Sequence, residues 1–179
     1  MRVIGGRFRS RRLKTLPGMS LRPTPDRLRE TLFNVLGGRI EGSVFLDAYA
    51  GSGAVGIEAL SRGAVRVIFI EDHPSAVRLI RENLRLLGVE SHSLVVQGRA
   101  AAYLGRFSAD IVFLDPPYEH RGEYEVAMRV LTSKPPRLVI AQHPSRLEMK
   151  ACYGPLWRVR ILRQGDNALS FYEPTPLHG

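Results

Sequence analysis

Two short stretches of this chain hold residue types whose order could do chemistry. One is Asp115-Pro116-Pro117-Tyr118, an acid, two prolines and an aromatic that follow the apolar run 111–114. An exocyclic amine on a nucleobase is a poor nucleophile, because its lone pair is delocalised into the ring. The Asp115 carboxylate can accept one of its N–H groups and the Pro116 carbonyl the other, which aims the lone pair at an electrophilic methyl group. Pro116 and Pro117 stiffen the loop, and Tyr118 can stack on a base that has been drawn out of its helix. Catalysis by such a set is orientation plus stabilisation of a developing cationic nitrogen. A strong general base is not required, since the surplus proton can leave after the transfer.

The other stretch is a glycine loop. Phe45-Leu46-Asp47-Ala48-Tyr49-Ala50-Gly51-Ser52-Gly53-Ala54-Val55-Gly56 reads as a strand, a tight turn and a helix start, with Gly51, Gly53 and Gly56 matching G-x-G-x-x-G. Glycines there let backbone approach a ligand where a Cβ would collide. Glu71 follows at the end of the next apolar run, at the distance where a carboxylate accepts hydrogen bonds from ribose hydroxyls. A nicotinamide dinucleotide and S-adenosylmethionine both use this geometry. Asp47 tips the choice: a carboxylate at the strand end repels a pyrophosphate but attracts the ammonium of a methionine moiety.

The elements that must position these residues are legible from periodicity. Short, non-alternating apolar runs at 44–46, 65–70, 94–96, 111–114 and 138–141 predict strands buried on both faces, as in a parallel sheet. Helical stretches at about 54–62, 74–87, 99–105 and 122–132 alternate with them, which predicts an open doubly wound α/β sheet. The fourth strand then opens beside the glycine loop. Residues 157–162 and 168–172 predict a terminal antiparallel hairpin through Gly165-Asp166-Asn167. Upstream, Val3-Ile4 and Arg7-Phe8-Arg9 predict an extended hairpin. Thr24 is an expected N-cap with Pro25 at the first helical position; Gly37-Gly38 ends that helix.

Charge adds a partner. The 179 residues carry a net +9. Ten of the cations fall in the first 40 residues (Arg2, Arg7, Arg9, Arg11, Arg12, Lys14, Arg22, Arg27, Arg29, Arg39) against Asp26 and Glu30, so the remainder is close to neutral. A basic head on a neutral body points to a polyanion. The single cysteine, Cys152, excludes an internal disulfide, and neither it nor the five histidines offers metal-ligand spacing. No apolar run is long enough for a membrane span, and no secretory h-region follows the N-terminus, so the expected compartment is the cytoplasm. Trp157 reads as a packing residue, and a monomer is the default state.

Together, F-L-D-A-Y-A-G-S-G-A-V-G-I-E-A-L-S-R-G-A (45–64) and D-P-P-Y (115–118) resemble a class I S-adenosylmethionine-dependent amino-methyltransferase. The segments G-G-x-x-R-x-R-x-L (5–13), R-P-T-P-D-R-L-R-E-T-L-F-N (22–34) and G-D-N-A-L-S-F-Y-E (165–173) resemble the bacterial 16S rRNA (guanine-N2)-methyltransferase family RsmD. The resemblance implies a Rossmann-like, mostly parallel seven-strand sheet with its last strand antiparallel. It implies methyl transfer to N2 of a guanine in 16S rRNA, within the small ribosomal subunit or a late precursor. It makes Asp115, Pro116, Pro117 and Tyr118 the catalytic set. Asp47, Tyr49, Ala50, Gly51, Gly53, Glu71, Asp72, Arg99 and Ala100 become the cofactor set. At Arg99 the chain departs from relatives that place an acid against the adenine amine, so backbone at 99–100 is expected there. Residues 1–40 become a basic RNA-docking extension that uses Arg7, Arg9, Arg11, Arg12, Lys14, Arg22 and Arg27, and residues 41–179 the methyltransferase domain. A DNA amino-methyltransferase and a non-catalytic ribosome assembly factor are the alternatives. A dehydrogenase is disfavoured by Asp47 and by the D-P-P-Y loop.

Overall fold

The apolar runs become strands because helices cover both of their faces. The computed structural model describes residues 1–17, 24–117 and 119–176; Arg22 and Tyr118, both candidates above, lie outside the described residues. The strands are β1 (Val44–Asp47), β2 (Arg66–Glu71), β3 (Ser93–Gln97), β4 (Ile111–Leu114), β5 (Leu138–Pro144), β6 (Cys152–Tyr153), β7 (Leu156–Gln164) and β8 (Asn167–Pro174). The helices are α1 (Asp26–Leu36), α2 (Ala54–Ser61), α3 (Pro74–Leu87), α4 (Ala100–Tyr103) and α5 (Gly122–Thr132). They form one sheet in the order β3-β2-β1-β4-β5-β8-β7-β6. The first five strands in that order are parallel, and β8, β7 and β6 are joined antiparallel.

Alternation along the strands builds two separate cores. Phe45, Phe69, Phe113 and Ile140 face α1, α2 and α3, whereas Leu46, Ile70, Val112 and Val139 face α4 and α5. The chain runs from β1 out to β3, then returns to lay β4 on the other side of β1. That reversal opens a crevice above the carboxyl ends of β1 and β4, where ligands bind in open α/β sheets.

The sheet has eight strands where the resemblance implied seven. The extra strand, β6, pairs only Cys152 with Trp157 and Tyr153 with Leu156. Two residues have no periodicity to read, and a Gly154 turn at φ 54° creates the strand. Trp157, read as a packing residue, is 50% exposed, because β6 leaves it on the rim of the sheet.

The described residues of the first 40 share the main core. Val3, Phe8, Leu13, Leu28, Leu32, Phe33 and Leu36 all belong to the core under α1–α3. The expected hairpin is reduced to a single antiparallel bridge, Arg2 to Arg12. Residues 7–10 are turn rather than strand, because their backbone bonds to α2: the Arg7 and Phe8 N–H groups donate to the Ser61 carbonyl and hydroxyl. Glu58, 1% exposed, accepts the Ile4 and Gly5 N–H groups and the Arg62 guanidinium. Arg29 is also 1% exposed; it lies between Asp26, Glu58 and the Arg2 carbonyl, and desolvation lowers its pKa. No helix among the described residues is long and apolar enough to cross a membrane.

Candidate active site

Four neighbouring strands end in polar side chains on one face. Asp47 closes β1, Glu71 closes β2, Asp115 follows β4, and Gln142 lies near the end of β5. By alternation each projects to the side of Phe45, Phe69, Phe113 and Ile140. All four line one cavity of about 560 Å³, a size usual for small-molecule sites. Tyr49, Ala50, Gly51, Asp72, Arg99, Ala100, Pro116 and Pro117 line it too. Gly53, also in the candidate set, lies beneath the wall: it takes φ 81° at the N-cap of α2. Thr24, Glu119, His120 and Glu123 complete parts of the wall that sequence reasoning missed. The type of Thr24 predicts a helix cap, but Pro25 is the N-cap residue and the Thr24 hydroxyl donates to Gln142 instead. Gln142 carries no signal beyond its place on the strand next to D-P-P.

The glycine loop spends its N–H groups internally. Ala50 N–H donates to the Ile70 carbonyl, Gly51 N–H to Glu71 Oε2 at 2.7 Å, and Gly53 N–H to the Ala50 carbonyl. Ala54 N–H donates to Ser52 Oγ at 3.4 Å and Gly56 N–H to Asp47 Oδ2 at 3.0 Å. Asp47 therefore already stands where a phosphate would sit at the start of α2. Gly56 is needed for packing: a Cβ there would lie 2.3 Å from Phe69 Cε1.

The lining is strongly acidic. Among the described residues, Asp47, Glu71, Asp72, Asp115, Glu119 and Glu123 face a single guanidinium, Arg99, which lies 3.7 Å from Glu123. Burial pushes the Asp47 carboxyl up to about 7; the Gly56 N–H pulls the other way, and Asp115 and Glu71 add to the rise. Burial also raises Glu71, opposed by the His73 and Gly51 N–H groups. Tyr49 donates to Glu123 Oε2 at 3.0 Å, and its phenol is held well above the usual range by burial and by that carboxylate. Such a wall favours a ligand carrying positive charge and disfavours a dinucleotide pyrophosphate. Glu71, Asp72 and His73 bring ligand-type atoms within 4.8 Å of one another, but both Glu71 oxygens already accept backbone N–H groups.

The described candidate RNA-contact residues lie apart from this wall. Arg7, Arg9, Arg11, Arg12, Lys14 and Arg27 are all exposed. Arg7 lies over the Phe8 ring, Arg11 donates to the Leu86 carbonyl, and Lys14 pairs with Glu82 at 3.5 Å. Of the other cations of the head, Arg29 is buried and Arg39 bonds to Glu173 at 2.7 Å.

The family described as conserved hypothetical protein 95 matches residues 1–173. A candidate rRNA methyltransferase of Bacillus subtilis, YlbH, is 32% identical over 187 residues, covering 97% of this chain and 98% of that protein. Ribosomal RNA small subunit methyltransferase D of Escherichia coli is 41% identical over 133 residues, covering 73% of this chain and 66% of that protein. A solved structure of a candidate methyltransferase, yhhF of Escherichia coli, superposes with a TM-score of 0.87 at 31% identity, covering 98% of each chain.

Proposed function

This chain belongs to the RsmD family, conserved hypothetical protein 95, and from that premise we propose that it transfers a methyl group from S-adenosylmethionine to N2 of a guanine in 16S rRNA. The observation that carries the reading is the acidic cavity at the strand ends, in which Asp47 occupies the helix start and Asp115 lies one strand away. When bound, S-adenosylmethionine supplies a methyl group on a cationic sulfur that departs as a neutral thioether.

The donor set suits that molecule. Asp47 offers its second oxygen to an ammonium group. Each Glu71 oxygen keeps a lone pair for a ribose hydroxyl after accepting from Gly51 or His73. Backbone at Arg99 and Ala100 borders the space left for the adenine, and the Arg99 side chain is turned to Glu123. Asp115 and the Pro116 carbonyl hold the two N–H groups of the acceptor amine and direct its lone pair inward. The carboxylates of the wall stabilise positive charge developing on that nitrogen. Asp115 takes the surplus proton once the new N–C bond has formed and passes it to water. Tyr118 follows in the chain and would stack on the base. Residues 1–40 contribute the phosphate contacts through Arg7, Arg9, Arg11, Arg12, Arg22 and Arg27. The substrate is the small subunit or its late precursor in the cytoplasm, met by a monomer of this chain.

The test supplies methyl-labelled S-adenosylmethionine with undermethylated small subunits, naked 16S rRNA and duplex DNA, followed by digestion to nucleosides. Labelled N2-methylguanosine from RNA is the expected product. Label confined to a DNA adenine or cytosine would transfer the reading to a DNA amino-methyltransferase. Cofactor binding without label in any substrate would leave an assembly factor.

A further inference from the structure

Two buried polar side chains of the cavity wall have no part in the scheme above. Gln142 is 6% exposed and Thr24 is 7% exposed, and both line the cavity. The β4–β5 register pairs Leu114 with Ala141, so the next step sets Gln142 beside Asp115. Adjacent strands are about 4.8 Å apart, close enough for two side chains to meet one base. The Thr24 hydroxyl donates to Gln142 Oε1 at 3.4 Å. Tyr124 donates to the Gln142 backbone carbonyl at 2.6 Å, which fixes the strand end behind it. Burying a carboxamide where an apolar side chain would pack costs free energy unless a partner meets it. Thr24 has also been withdrawn from the helix cap that its type favours.

We propose that Gln142, oriented by Thr24, reads the ring edge of the base whose amine Asp115 holds, and reads it as guanine. The inference rests on the acceptor site proposed above. On guanine the edge beside the amine runs N1–H and then O6, a donor followed by an acceptor. A carboxamide matches that pair: the lone pair left on Oε1 accepts N1–H, and Nε2–H donates to O6. On adenine or cytosine the atom next to the amine is an unprotonated ring nitrogen, which would face Oε1 lone pair to lone pair. Thr24 on the oxygen side holds the amide in the orientation that selects guanine.

Nucleosides test this apart from turnover. The protein is saturated with S-adenosylhomocysteine to close the cofactor site. It is then titrated by NMR with guanosine, inosine, adenosine and 2-aminopurine riboside. Guanosine and inosine share N1–H and O6; the other two lack both. Guanosine and 2-aminopurine riboside carry the same 2-amine for Asp115, so wild type is expected to prefer guanosine over 2-aminopurine riboside by about tenfold, the usual worth of a bidentate base contact. Gln142→Leu should level that pair, Thr24→Val should narrow the gap, and S-adenosylhomocysteine affinity should report an intact fold in both. Equal binding of guanosine and 2-aminopurine riboside by wild type, undetectable binding included, overturns the inference, as does a preference between them that survives Gln142→Leu. A preference that follows Gln142 while small subunits gain no N2-methylguanosine upholds the base reading and removes the proposed reaction. N2-methylguanosine formed with no nucleoside preference removes only the base reading.

Discussion

Cofactor affinity should depend on pH through one buried carboxyl. Asp47 is 1% exposed and its pKa is pushed to about 7, chiefly by burial, then by Asp115 and Glu71. An ammonium docks on the ionised form only, so the proton must leave first. Affinity for S-adenosylmethionine should then weaken about fifteenfold from about pH 7 to about pH 5.5, approaching a factor of ten per unit. The ligand's own amine stays protonated across that window, being an α-amino group with a pKa near ~8. Calorimetry at several pH values measures the affinity, and paired buffers of different ionisation enthalpy count the proton, nearly one released near pH 6. His73 and His120 also line the cavity, so the slope is assigned by difference: Asp47→Asn should bind weakly and lose it. Asp115→Asn removes one of the charges that raise Asp47, so the midpoint should move to lower pH. The free protein behaves oppositely. A carboxyl whose folded pKa lies above its unfolded value stabilises the fold below the unfolded value and loses that contribution as pH rises through about 7. A flat affinity profile, or one that Asp47→Asn retains, would refute the assignment.

Three other outcomes follow from the same contacts. Gly56→Ala puts a Cβ 2.3 Å from Phe69 Cε1, and such overpacking should cost about 1–3 kcal/mol in urea denaturation. Glu58→Ala leaves Arg29 buried beside an empty site and strips acceptors from Ile4 and Gly5. The expected loss is about 3–5 kcal/mol, with faster amide exchange across residues 3–13, while Glu58→Gln should lose less. Replacing Arg7, Arg9, Arg11 and Arg12 by Gln should weaken RNA binding and flatten its salt dependence by about 0.7 per lost phosphate contact; an unchanged slope would move the RNA contact elsewhere.

The parallel half of the sheet was legible because burial on both faces leaves unbroken apolar runs, as at 111–114, and because Pro74 and Gly88 mark the ends of α3. Other features depend on contacts between distant residues. Thr24 has the local signature of a cap, yet Gln142, 118 positions away, takes its hydroxyl. In the sequence Arg29 is only one of the cations of the basic head and Glu58 carries no signal; the N-terminal segment folds over them and buries both. The glycine loop has the spacing of a phosphate cradle, and only the fold reveals that its N–H groups are spent on Glu71, Asp47 and neighbouring backbone. Asp47 was the one local clue to that outcome, since an acid beside a helix start occupies the anion's place.

Charge is divided between the surface and the cavity in a way that bears on how RNA is handled. The exposed cations of residues 2–12 present a positive surface on the side of α2 and α3, while six carboxylates line the cavity. A nucleotide is negative at its phosphate and nearly neutral at its base. The outer field attracts the phosphates and the inner field repels them, so a base can enter the cavity only if its backbone stays outside. The same wall favours a sulfonium over its neutral thioether product, which aids cofactor entry and product release. Removing a cavity charge, as in Glu119→Gln, should therefore weaken S-adenosylmethionine more than S-adenosylhomocysteine. Removing a surface charge, as in Arg9→Gln, should leave the ratio of those two affinities unchanged. Competition calorimetry with both ligands measures that ratio. Equal losses for the two ligands in Glu119→Gln would mean that the wall acts by shape, and its acidity would then have no part in selecting the cation.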